Sequence, residues 1–162
     1  MNTTQPHIDE ILRAFFEREL EGSRGPITRQ RITRVYQRLL VCLETDAESI
    51  LVGDDRVLLA AERELEPDGA FVRTMHADDL LFGLESFLRE PWLDPMKQER
   101  QDQRVQLRLT SGLIRMLLLA RLIDRYRYAC PLAELQARIA TLSRPLYPRR
   151  MQQIIPGVEP WR

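Results

Sequence analysis

Histidine, cysteine and lysine are nearly missing from this chain. His7 and His76 are its only histidines, Cys42 and Cys130 its only cysteines, and Lys97 the only lysine among 24 basic residues. Two histidines leave little material for general acid–base or nucleophilic chemistry, and no Cys–His or Ser–His–Asp spacing stands out. No glycine-rich phosphate loop follows a strand. The longest strongly apolar stretch, Met116 to Ala120, is far too short to cross a bilayer. The N-terminal region carries Asp9 and Glu10 instead of a basic stretch before an apolar run, so it does not read as a signal peptide. These absences lead us to expect a cytoplasmic, non-membrane protein with no cofactor, no metal ligands and no catalytic residues.

What is present is charge, in blocks. The total is 24 acidic against 24 basic residues, a formal net charge of zero. Residues 24–43 carry five arginines and no acid, residues 44–95 carry 14 acids against 4 arginines, and residues 96–162 carry 13 bases against 5 acids. Segregation of this kind favours contact between oppositely charged surfaces, within a chain, between copies, or with a charged partner. The basic groups are almost all guanidiniums, which pair with carboxylate or phosphate in a planar fork and stack on aromatic rings.

A chain of 162 residues, 44% of them hydrophobic, is enough for one globular unit with a sizeable core. Periodicity predicts an all-α fold of about six helices, read as one helical domain over 1–144 with a Pro/Arg-containing tail over 145–162. Ile8, Ile11, Leu12, Phe15 and Leu20 mark a helix from about Gln5 to Glu21, with Thr4 as cap. Ile32, Val35, Tyr36, Leu39 and Leu43 mark a second from about Thr28 to Thr45. Val57, Leu58, Ala61 and Leu65 mark a third, and Pro67-Asp68-Gly69 ends it. The fourth begins near Ala77 and ends at Glu90-Pro91. The fifth is read as the longest, about 95–128, with Asp94 as cap and Pro95 at its first position. It carries two apolar stripes, one through Val105, Leu109, Leu113 and Leu117, the other through Leu107, Ile114, Leu118 and Leu122. Such a helix is either the central pillar of the fold or a surface shared between copies, and Thr110-Ser111-Gly112 is the place for a kink. A last helix spans Pro131 to about Ser143. Residues 49–52 and 70–75 are short apolar runs that would form a two-stranded ribbon if paired. Both cysteines lie in or beside apolar helical segments and are expected to be buried thiols.

Among candidates for chemistry, His76, Asp78 and Asp79 superficially suggest a metal site. Ligands at i and i+2 point apart on a helix, and acids are favoured at a helix N-terminus in any case. Gly53-Asp54-Asp55 likewise reads as a helix start. The sharpest positive signal is the basic face of the second helix, Arg31, Arg34 and Arg38, with Arg29 beside it. These residues, with Arg127, Arg149 and Arg150, are candidate contacts to phosphate or to an acidic partner. Arg125-Tyr126-Arg127-Tyr128 interleaves bases with aromatics, as single-strand binders do, and is otherwise read as a helix C-terminus whose cations complement the dipole. Tyr147 and Trp161 are candidate anchors for a protein partner. The functional expectation is a non-catalytic, self-associating interaction protein, an adaptor or subunit of a larger assembly. The alternative is a nucleic-acid-binding regulator using helix 28–45 and the basic C-terminal region.

Overall fold

The computed structural model describes residues 4–23 and 25–147. Among them are eight helices and no strand: α1 (Ile8–Gly22), α2 (Pro26–Thr45), α3 (Ala47–Ile50), α4 (Asp54–Leu65), α5 (Ala70–Thr74), α6 (Ala77–Phe87), α7 (Arg100–Leu119) and α8 (Ala129–Ser143). The all-helical fold agrees with the periodicity, and no described helix is long and apolar enough to cross a membrane.

Pro26 occupies the first turn of α2, where its missing N–H and fixed φ cost nothing, so this helix starts two residues before the expected Thr28. Its apolar face (Ile32, Val35, Leu39, Cys42, Leu43) is buried, and α1, α3, α5, α6 and α7 pack around it. α6 approaches closely at Gly83, where an added Cβ would run into the Leu43 side chain. Glycine there admits the buried α2 leucine. α1 is joined to the rest through Phe16, whose ring stacks on Tyr36 at 4.3 Å between centroids.

Three expectations need correction. The ribbon does not form: residues 49–50 lie in α3 and 70–74 in α5, both single helical turns. A run of four or five residues is too short to show a period, and the buried Ala70, Phe71 and Val72 resemble strand as much as helix in sequence. The long helix is shorter than 95–128. Asp94 turns the chain by accepting the Met96 N–H at 2.9 Å, and α7 begins only at Arg100. At its far end Arg121 N–H bonds the Leu118 carbonyl and Leu122 N–H that of Leu117, with Arg121 at φ 55°. This is the Schellman stop, with arginine where glycine is usual. The helix runs through Thr110-Ser111-Gly112 without interruption. Its first apolar stripe is buried and its second largely covered inside one copy, with Leu118 and Leu122 half-buried, by packing against α2, α6 and α8. α7 is therefore an internal pillar and by itself gives no reason for a second copy. Finally, only Cys42 is buried; Cys130 is exposed in the first turn of α8, and both thiols are free. Burial, reinforced by Asp46, pushes the Cys42 thiol far above its ordinary pKa, which makes it unreactive.

Candidate functional site

The arginine stripe of α2 is turned toward α7. Arg31 Nε lies 3.3 Å from Asp102 and its terminal nitrogen 3.5 Å from Glu99. Arg34 reaches the same Asp102 oxygen at 3.3 Å. Arg38 donates to the Trp92 carbonyl and, at 3.4 Å, to the Gln106 side-chain oxygen. Gln106 is fully buried and sits at the centre of a polar knot. Its amide donates to Phe87 O at 2.9 Å and Trp92 O at 3.2 Å, and its oxygen accepts from Gln98 at 2.9 Å. The Trp92 indole N–H donates to Asp46 at 2.9 Å. Three of the four α2 arginines expected to meet phosphate or an acidic partner thus hold α2 to α7 and to the 88–98 corner. Arg29 remains exposed.

The residues once grouped as a metal candidate also have separate tasks. His76 precedes α6, and its ring stacks on His7, the residue before α1, at 4.5 Å between centroids. His76 Nδ1 lies 3.1 Å from Pro6 O, and Ile8 N–H donates to Met75 O at 3.0 Å, so the starts of α1 and α6 are fastened together. Asp78 accepts the Tyr128 hydroxyl at 2.7 Å. Burial and that bond raise the Tyr128 pKa. Asp79 accepts the His76 backbone N–H at 3.3 Å. Burial pushes the Asp79 carboxyl above the usual range; the His76 N–H opposes the rise, and Asp55 and Asp78 add to it. A carboxyl with a raised folded-state pKa stabilises the fold fully below its unfolded value, about pH 4, and loses that contribution as pH rises through the folded value. We expect Asp79→Asn to remove this loss. In urea unfolding from pH 4 to 7, the variant should gain on the parent as pH rises. A difference that does not change with pH would contradict the assignment.

α4 faces the wrong way for a core helix. Val57, Leu58, Ala61 and Leu65 recur at three- and four-residue spacing and share one face. That face looks outward: Leu65 is 83% exposed, Val57 69% and Leu58 50%. Leu59 is the only buried residue of the helix. Its inner side is held mainly by arginines. Arg56 donates to Leu51 O and Glu48 O, both at 2.6 Å. Arg63 pairs with Glu48 at 2.9 Å and Glu44 at 3.5 Å. Asp54, Asp55 and Glu64 are exposed beside the stripe and form no ion pair among the described residues. The spacing indicates a helix, and its apolar face is a surface patch.

Arg125-Tyr126-Arg127-Tyr128 lies before α8, not at the end of a helix, so its cations face the positive end of a helix dipole. Arg127 is exposed, and its guanidinium sits over the Tyr128 ring at 5.5 Å. Tyr147 is exposed, with the Arg104 guanidinium 5.0 Å from its ring centre, and the neighbouring Leu146 is buried. The first residues of the expected tail are therefore packed on α7. Arg149, Arg150 and Trp161 lie outside the described residues.

No family model matches this chain, and no curated protein or solved structure matches it either.

Proposed function

We propose that this protein is a non-catalytic helical interaction protein, a cytoplasmic adaptor or assembly subunit that self-associates through the outer face of α4. The observation that carries this reading is the solvent-facing stripe of Val57, Leu58, Ala61 and Leu65. Contiguous exposed apolar surface rimmed by polar residues marks an interaction site. Its rim is acidic, with Asp54, Asp55 and Glu64, which disfavours pairing of one α4 against another. The matching chemistry lies in the same sequence. Residues 148–162 combine Arg149 and Arg150 with Ile154, Ile155 and Trp161. We assign that segment of a second copy as the occupant. Fifteen residues reach at most about 50 Å when extended, enough to pass between neighbouring copies. Reciprocal exchange of two such segments closes a two-fold dimer, whereas one-way exchange builds a chain of copies.

Apolar burial supplies most of the affinity in this arrangement, and the charges guide orientation and association rate. Light scattering over a protein concentration series at low and high salt checks it. The expected result is a concentration-dependent dimer that persists, somewhat weakened, at high salt. A strict monomer at every concentration would contradict the proposal.

A further inference from the structure

A cavity of about 690 Å³ opens where α7 ends and α8 begins, lined by Arg121, Arg125, Arg127, Asp124, Asp78 and Tyr128 among others. That volume lies within the range of about 300–1,000 Å³ usual for small-molecule sites. Most arginines elsewhere in the fold are engaged: Arg31, Arg34, Arg63, Arg73, Arg89 and Arg108 form ion pairs, and Arg38, Arg56, Arg100, Arg104 and Arg138 donate to backbone carbonyls. Among the described residues the three cavity arginines, like Arg18, Arg29, Arg115 and Arg144, do neither, but these three line one cavity together. The two acids of the cavity are already engaged. Asp124 accepts the backbone N–H groups of Tyr126 at 2.9 Å and Arg127 at 3.2 Å, and Asp78 accepts the Tyr128 hydroxyl. Arg125 and Arg127 lie just before the N-terminus of α8, a helix of 15 residues, whose positive dipole end repels them and attracts anions, while Arg121 joins them from the C-terminal end of α7.

Arg121 adds an independent sign. Its left-handed backbone is disfavoured for a non-glycine residue, whereas glycine would end α7 without that cost. Two local rules are broken within seven residues: Arg125 and Arg127 precede a positive helix end, and Arg121 takes a glycine conformation. Such conflicts concentrate at functional sites.

We propose that this cavity binds a nucleoside phosphate, with the phosphates held by Arg121 at the end of α7 and by Arg125 and Arg127 at the start of α8, and the base against Tyr126 at the rim. Guanidinium forks match phosphate oxygens in pairs. Tyr126 is 89% exposed and lines the same cavity, so its ring is available for stacking.

Isothermal titration calorimetry of the full chain with adenosine diphosphate, with inorganic pyrophosphate and with a short single-stranded oligonucleotide tests the assignment. We expect adenosine diphosphate to bind more tightly than pyrophosphate, and both to weaken with salt. Arg125→Ala with Arg127→Ala should lower affinity at least tenfold, with the helical circular dichroism unchanged. Arg121→Gly is the sharper variant: it should raise Tm by about 2–4 °C and lower affinity in the same protein, a combination that a purely structural arginine would not give. Absence of phosphate binding at low salt, or binding insensitive to all three replacements, would overturn the proposal. Pyrophosphate binding as tightly as adenosine diphosphate would overturn the nucleoside part, and tighter capture of the oligonucleotide would overturn the free nucleotide as ligand.

Discussion

Replacing Gln106 by alanine should destabilise the fold by about 3 kcal/mol, roughly 10 °C in Tm for a domain of this size. Gln106 is completely buried, and its side chain serves four partners: the carbonyls of Phe87 and Trp92 as donor, and the Arg38 and Gln98 side chains as acceptor. Each net hydrogen bond is worth only about 1 kcal/mol, but a buried group left without a partner costs about 1–3 kcal/mol. Removing Gln106 leaves the Phe87 carbonyl and the Gln98 amide without that partner, takes one acceptor from Arg38, which keeps the Trp92 carbonyl, and opens a small cavity. Gln106→Met keeps most of the volume and isolates the polar part, so it should remain clearly destabilised. Urea unfolding followed by fluorescence and by circular dichroism measures both. A loss under 1 kcal/mol in each variant would mean that the knot does not hold α2, α7 and the 88–98 corner together. The same result would return the Arg38 guanidinium to the list of groups free for an outside partner.

The second large effect belongs to α4. Leu58→Glu together with Leu65→Glu should abolish self-association while leaving stability nearly unchanged. Both residues are already half or more exposed in one copy, so the charges cost little there. In the proposed dimer they would lie under an apolar segment. Each leucine buried contributes about 1.5–3 kcal/mol, and an unpaired charge in its place adds a desolvation penalty. The dissociation constant should rise by at least about 100-fold, the equivalent of about 2.7 kcal/mol.

Much of this fold is legible in the sequence because helices announce themselves by period. Ile32, Val35, Leu39 and Leu43 fall on the buried face of α2, and Leu80, Leu81, Leu84 and Phe87 on that of α6, as their spacing indicates. What the spacing lacks is direction. Val57, Leu58, Ala61 and Leu65 define α4 equally well whether their face meets the core or the solvent. The outcome rests on Leu59, Arg56 and Arg63 securing the opposite side, through partners up to 19 residues away in sequence. The intramolecular partners of the arginine stripe are hidden in the sequence for the same reason. Its partners Glu99 and Asp102 lie 68–71 residues downstream, and no local signal announces them. The end of α7 was missed because Arg121 takes the left-handed position without a glycine or proline to mark it. That departure from local preference placed the 125–128 arginines before α8 and opened the cavity beside them.

Sedimentation equilibrium on three proteins reaches the central claim most directly: the full chain, the chain ending at residue 147, and the full chain with Leu58→Glu and Leu65→Glu. Association through α4 and the segment 148–162 of another copy requires the first to be a dimer or higher and both others to be folded monomers. A monomeric full chain, or variants that associate as strongly as the parent, would contradict it.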